Sequence, residues 1–330
     1  MARPSDRPAP ELDGIIIVHK PAGPTSHDVV ALVRRLTGVR RVGHGGTLDP
    51  FAAGVLPVFL GRATRVVEYH LADDKGYRAQ VAFGARSTTD DLDGELTPSA
   101  GPAPEREAVE AVLGAFRGPL VQTPPDYSAV HIAGRRAYEL ARAGQKPELK
   151  PRQVTIHTLE LVGWDEADGE RPVATLELRC SAGTYVRALA RDLGEALACG
   201  GYLVGLTRTA SGPFTLAAAY PLEAVRAALA AGRARDVLLP PETGLDSLPE
   251  FAVAADELAA LARGQVVRPR APSEAPRSNG PDGSVVRIVG PDGRLAAIAR
   301  LQAGRLHPEK VLLDLAAAPA SAAGGRTRPD

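Results

Sequence analysis

The 330-residue chain is poorly equipped for redox or metal chemistry. Its two cysteines, Cys180 and Cys199, have no C-x-x-C spacing. They supply neither a disulfide framework nor a thiolate zinc site, so a reducing cytoplasm is the expected compartment. Lysine is scarce, with five residues against 34 arginines. GC-rich codons account for such a bias, and arginine is also the cation that grips phosphate through a rigid fork. The formal net charge is zero. That excludes a surface basic all over, but not a basic groove balanced by acidic surface elsewhere. The first 14 residues lack the apolar run of a signal peptide, and no run reaches the length of a membrane span. A soluble, cytoplasmic protein with no membrane partner is expected.

Familiar catalytic motifs are missing too. There is no G-x-x-x-x-G-K-[ST] loop, no HExxH and no GxSxG, and "GHGGTL" lacks the third glycine of a dinucleotide fingerprint. The acidic stretch "TTDDLDGE" fails as a calcium loop, because Thr89 and Ala100 occupy its first and twelfth ligand positions. It reads as a solvated turn. No metal or organic cofactor is implied.

At 44% hydrophobic and 24% charged residues the composition is that of a globular protein. Residues 1–12 read as a polar, Pro-rich, disordered leader. "GIIIVHKP" reads as a buried strand. "PTSHDVVALVRRLTG" reads as a helix, with Thr25 and Asp28 at capping-box spacing and Gly38 as its stop. "KGYRAQVAFG" alternates strictly, with Tyr77, Ala79, Val81 and Phe83 on one face. "PEREAVEAVLGAFRG" and "GRRAYELARAG" read as helices, the second with a basic face. "PVATLELRCSAGTYVRALARDLGEALA" reads as strand, small-residue turn and helix. Without a regular βαβ beat the fold class is α+β with a mainly antiparallel mixed sheet. Past residue 240 the texture changes. A linker, "LPPETGLDSLPE", a short helix ending at Gly264, a mobile Pro-rich loop at 268–283, a hairpin around Pro-Asp-Gly and a last strand "KVLLDL" make a small β-rich module over 241–315. Residues 316–330 read as a disordered tail.

The chemistry centres on "RRVGHGGTLDPFAAGVLPVFLG", residues 40–61, where His44 and Asp49 sit on a glycine-rich turn closed by Pro50. Asp49 is either a turn-capping acid or a nucleophile or base of glycosyl chemistry. A retaining glycosidase needs a second carboxylate close by, and the nearest in sequence are Asp28 and Glu68. One carboxylate suffices where a uridine is detached, rotated and rejoined through carbon. The acid then attacks C1′, takes a proton from C2′ or adds to C6, and the residues do not choose among these. That chemistry also demands an arginine favouring the carboxylate, an aromatic ring to stack on the base, a wedge filling the gap left by a flipped nucleotide and a basic RNA surface.

"GHGGTLDPFAAGVLPV" resembles the signature motif of the bacterial tRNA pseudouridine-55 synthases, the TruB family. "GIIIVHKPAGPTSHDVV", "KGYRAQVAFG…TTDDLDG", "QTPPDYSAVHIAGRRAYELAR", "RCSAGTYVRALARDLG" and "LTRTASGPF" resemble family blocks in family order, over about residues 12–216. The resemblance implies a catalytic domain of pseudouridine synthase type over 13–240 and, more weakly, a PUA-like RNA-binding module after it. It implies Asp49 as the catalytic carboxylate, Arg187 as its partner, and Tyr77 as the ring stacked on the flipped uracil. Tyr185, Lys20 and Leu206 would line or support the pocket, and His44 would sit where the nucleotide left the stack. The run Arg135, Arg136, Arg142, Lys146, Lys150 and Arg152 fits contact with RNA phosphates.

The implied partner is the T-arm stem-loop of tRNA, with tRNA-folding chaperone activity alongside; a monomer is expected because the sequence shows no strong coiled coil or sticky edge. Two features depart from the family pattern. Gly45 stands where many relatives carry Thr and should loosen the turn, and His131 stands where Lys is common. Two other classes fit the sequence less well. A pure RNA-binding chaperone has no use for a carboxylate facing phosphate-rich RNA. A nucleosidase of free nucleosides has no need of basic runs or a second module.

Overall fold

The computed structural model describes residues 12–128, 130–132, 134–166, 171–270 and 281–313. The leader apart from Leu12, the centre of the Pro-rich loop and the tail lie outside these residues. Among the described residues no helix is long and apolar enough to cross a membrane.

The strands assemble into a ten-stranded mixed sheet, in which Gly14–Lys20 and Ala53–Leu60 are apolar on both faces. Its main path runs Tyr220–Pro221, Gly14–Lys20, Ala53–Leu60, Gly201–Ser211, Lys75–Phe83, Val173–Cys180, Arg152–Asp165, Gly118–Gln122. Val42–His44 and Phe214–Thr215 pair beside it. Two pairings are parallel, Gly14–Lys20 with Tyr220–Pro221 and Ala53–Leu60 with Gly201–Ser211; the others are antiparallel. The expected α+β class with a mainly antiparallel mixed sheet is the one observed.

Helices cover the sheet in two patches. Ser26–Thr37 begins with the expected capping box: the Asp28 backbone N–H donates to Thr25 Oγ1 at 3.0 Å and the Thr25 N–H to Asp28 Oδ2 at 2.8 Å. Gly38 ends it in the left-handed region, φ 70°. Its Val29, Val30 and Val33 enter a core with Leu222–Ala230 and the Gly14–Lys20 and Ala53–Leu60 strands. Each buried valine contributes roughly 2 kcal/mol, so Val33→Asp would undo the patch. Val186–Ala196 and Arg106–Leu113 cover the second patch, over Lys75–Phe83, Val173–Cys180 and Arg152–Asp165. Leu206 packs against both patches.

The C-terminal residues form a four-stranded sheet, Glu250–Ala252, Val285–Val289, Leu295–Gln302 and Arg305–Val311. It shares a third core with the main sheet, in which Leu295, Ile298 and Leu312 meet Ile15, Ile17 and Phe59.

Several expectations need correction. Leu12, counted in the leader, packs against the first core. Leu245 of the linker is buried in the third. Arg135 and Arg136 lie in a two-residue strand paired with His131–Ile132, not in the helix, which spans Ala137–Arg142. The last described strand, Arg305–Val311, starts five residues before "KVLLDL", because Ala303 (φ 48°) and Gly304 (φ 69°) turn the chain straight after Gln302; Asp314 and Leu315 lie outside the described residues. The basic start of the Pro-rich loop is tied down, Arg270 pairing with Asp256 at 2.5 Å.

Candidate active site

The glycine turn is carried from one helical patch to the other. Leu48 is buried in the first core and Phe51 packs against the second, so Asp49 between them is held over the centre of the sheet. Backbone and buried polar groups fix the loop. Ser26 Oγ donates to Leu48 O at 3.1 Å and accepts from Leu48 N–H at 2.9 Å. Gly23 N–H donates to Pro50 O at 2.8 Å and Gly45 N–H to Pro57 O at 2.9 Å. A Cβ at Gly45 would stand 3.1 Å from the Phe59 ring. Gly54, by contrast, must be glycine, with φ 111° and a Cβ position 2.2 Å from Arg208 O.

Asp49 keeps 35% of its side chain exposed, and its Oδ2 lies 3.0 Å from Nε of Arg187. Arg187 is itself buried, on the first turn of Val186–Ala196. It pairs with Asp91 at 3.2 Å and donates to the carbonyls of Thr89 at 3.1 Å and Tyr127 at 2.8 Å. The acidic loop is therefore not a solvated turn. Asp91 is 3% exposed because a guanidinium from a distant helix meets it there. Burial lifts the Asp91 carboxyl above its ordinary range, outweighing Thr89 and Arg187, which pull it down. Next to it burial raises Asp90 to about 6, against the pull of Arg191 at 3.0 Å. Gln122, also buried, holds the start of the helix from both sides: Nε2 donates to Tyr185 O at 3.0 Å and Oε1 accepts from Tyr185 N–H at 2.8 Å.

Tyr77 stands half-buried on Lys75–Phe83, its phenol raised by desolvation and also subject to the Asp49 charge. Lys20 is fully buried and donates to the carbonyls of Pro21, Pro24 and Pro50 at 2.9, 2.8 and 3.3 Å. Burial lowers it to about 8, partly offset by Asp49. His44 ends the short strand Val42–His44, edge-on to the exposed His27 with ring centroids 5.6 Å apart. Its Nδ1 is buried without a hydrogen-bond partner among the described residues. Burial, His27 and Arg208 lower it to about 4, so it is neutral at pH 7.

The fold thus gathers Asp49, Arg187, Tyr185, Tyr77, Lys20, Leu206 and His44 at one place. Of the basic run, Arg152 joins them, its guanidinium 5.0 Å over the Tyr185 ring. Arg135, Arg142 and Lys146 are exposed on the 131–150 segment, with Arg136 half-buried there, and Arg142 lies 5.5 Å over the Tyr138 ring.

Four residues at the site were missed in the sequence: Ser26, Asp91, Gln122 and Arg208. Arg208 is 1% exposed and reaches under the glycine turn, donating to Val55 O at 2.7 Å, Gly46 O at 3.0 Å and Thr47 O at 3.3 Å. Its one signal was shared parity with Leu206 on a single strand.

Residues 34–186 match the TruB family pseudouridylate synthase N-terminal domain, and residues 187–246 match the tRNA pseudouridylate synthase B C-terminal domain. Curated relatives match over most of their length. The tRNA pseudouridine synthase B of Symbiobacterium thermophilum is 49% identical over 265 residues, covering 80% of this chain and 86% of its own. That of Moorella thermoacetica is 42% identical over 306 residues, covering 91% and 99%.

The chain belongs to the TruB family of pseudouridylate synthases.

It is an isomerase of RNA uridine by that membership. Solved structures agree. A Cbf5-Nop10-Gar1 complex matches with TM-score 0.70 and 26% identity over 97% of this chain and 93% of that one. An H/ACA RNP bound to a substrate RNA containing 2'-deoxyuridine matches with TM-score 0.68 and 25% identity, over 92% and 86%. The two TruB family segments meet inside the helix Val186–Ala196. Their junction divides sequence families, not packed units.

Proposed function

We propose that this protein converts one uridine of the tRNA T loop, position 55, to pseudouridine, with Asp49 as the catalytic carboxylate. The observation that carries the reading is the Arg187–Asp49 pair at 3.0 Å, near enough to Tyr77 for the Asp49 charge to act on its phenol. The tRNA substrate follows from the curated relatives, which are tRNA pseudouridine synthases B.

The target uridine leaves the loop stack and enters beside Tyr77, whose ring stacks on the base. His44, neutral and half-buried at the rim, takes the space the nucleotide left. Its unpartnered Nδ1 gains a polar neighbour from the RNA. Arg187 aims Asp49 at the ribose. The carboxylate attacks C1′, removes the C2′ proton or adds to C6; each route frees the ring to turn and present C5 to C1′. A C5–C1′ bond forms, and the C5 proton leaves to a base, a role this reading gives to Tyr77. Leu206 and Tyr185 wall the pocket, and Lys20 pins the segment after Asp49 through Pro50 O. Arg152, Arg135, Arg136, Arg142 and Lys146 face the phosphates of the T arm. The 241–315 region acts as a PUA-like RNA-binding module, and the protein works as a cytoplasmic monomer.

The test is to map pseudouridine in an unmodified tRNA transcript after incubation with protein. Conversion at position 55 alone, abolished by U55C, supports the reading. Conversion at other positions, or none with intact tRNA binding, overturns it.

A further inference from the structure

Arg208 is a buried cation with no carboxylate. Its hydrogen-bond partners are carbonyl oxygens, of Val55, Thr47 and Gly46. Among the described residues no acid lies within ion-pair distance of it. Lys20, as deeply buried, likewise spends its ammonium on carbonyls. Neither side chain reaches the surface to grip a phosphate, since both are buried. Yet burying a charge that only carbonyls satisfy is costly. A backbone clamp alone could be built from neutral donors. Their charge has a use when a negative charge arrives next to them.

The proposed reaction brings one. As the C1′–N1 bond breaks, its electron pair stays on the uracil N1 and spreads over O2 and O4. The deficiency at C1′ is met by an ester bond to the Asp49 carboxylate or by passage of the C2′ proton to it. Addition to C6 likewise places negative charge on the ring. The base lies against Tyr77, whose directly opposite partner on the neighbouring strand is Arg208, so the guanidinium charge acts on the Tyr77 phenol.

We propose that Arg208, with Lys20, provides a fixed positive field beneath the uracil that stabilises the negative charge on the detached ring. This rests on the function proposed above. Fixed charges aimed at developing charge act strongly in a dry site, because nothing reorients during the reaction. Arg208 is then a positioning residue for the Gly46–Thr47 turn and an electrostatic one for the base. The two roles separate experimentally.

The experiment compares Arg208→Met, Arg208→Lys and wild type in single turnover on two tRNA transcripts, one with uridine and one with 5-fluorouridine at the target. Fluorine withdraws charge from the ring, so the fluorinated base is a better leaving group and needs less help. It has no C5 proton, so the readout for both is consumption of the starting nucleoside. Arg208→Met should slow uridine consumption about 100-fold, a loss typical of removing one transition-state donor. The same variant should slow 5-fluorouridine consumption about tenfold or less, with tRNA affinity within about threefold of wild type. Arg208→Lys keeps the charge and should keep the wild-type ratio between the substrates.

Equal slowing on both transcripts by Arg208→Met would overturn the inference and leave Arg208 as a clamp. So would no slowing at all. If Arg208→Met shows no cooperative melting, Lys20→Met carries the same comparison, with the same fluorine-dependent recovery expected and equal slowing again overturning it. Wild type inactive on both transcripts overturns the proposed function, and this inference with it.

Discussion

Replacing Asp91 by Asn should both destabilise the protein and slow it, although Asp91 need touch no substrate. Asp91 Oδ2 lies 3.2 Å from Arg187 Nη1, with both side chains nearly out of solvent. At an effective dielectric of about 20 their attraction is roughly 5 kcal/mol. That figure is an upper bound, because burial has already raised the Asp91 carboxyl above its usual range. The intact pair is close to break-even; the cost comes from leaving Arg187 buried with one partner fewer. Arg187 keeps Asp49 and two carbonyls, so the low end applies, about 3 kcal/mol. At roughly 2.1 cal/mol/K of unfolding entropy per residue, that lowers Tm by about 4 °C for a 330-residue chain. Released on one side, Arg187 re-centres on Asp49, and a shift approaching 1 Å in the carboxylate costs roughly 100-fold in rate. Thermal melting and single-turnover release of tritium from C5-labelled tRNA read the two effects. A variant with Tm within 2 °C of wild type and an unchanged rate would refute the network as described.

Two further outcomes follow from the same geometry. Gly54→Ala forces a Cβ to within 2.2 Å of Arg208 O at φ 111°, in the parallel pairing that seats Arg208; it should cost about 3 kcal/mol or more, visible as a lower urea midpoint, and wild-type stability would contradict it. His44 is held down to about 4 while an unfolded histidine titrates near 6.5. As pH falls from 6.5 to 4 the unfolded chain therefore takes up a proton that the fold refuses, and stability falls by about 3 kcal/mol across that window. His44→Asn should lose that part of the acid sensitivity in urea titrations at pH 7.5 and 4.5, and parallel curves for both proteins would contradict the assignment.

Much of this was legible where the cause is local. Thr25, Asp28 and Gly38 mark both ends of a helix by chemistry that needs no partner from elsewhere. The strict alternation of Lys75–Phe83 identified a half-buried strand. Family motifs, rather than spacing, brought Asp49, Tyr77 and Arg187 together. What escaped depends on distant groups or on broken periods. Arg152–Asp165 carries register shifts at Ile156/Thr158 and Leu161/Gly163, which scramble the period of two that would have revealed its 14 residues. Asp91 and Arg208 are charged, and charged residues are read as exposed unless a partner is known. Their partners come from 96 residues further along the chain for Asp91 and 153 to 162 residues earlier for Arg208. Gln122 was hidden in the same way, its role being set by the backbone of Tyr185.

The most direct test of the central claim is tritium release from a tRNA transcript labelled at uridine C5, with wild type and Asp49→Ala side by side and EDTA present. The account predicts release by wild type and none above background by Asp49→Ala, while both bind the tRNA. Equal release by the two would remove Asp49 from the chemistry. No release from either, with tight binding by both, would contradict the assignment of this site as a uridine isomerase.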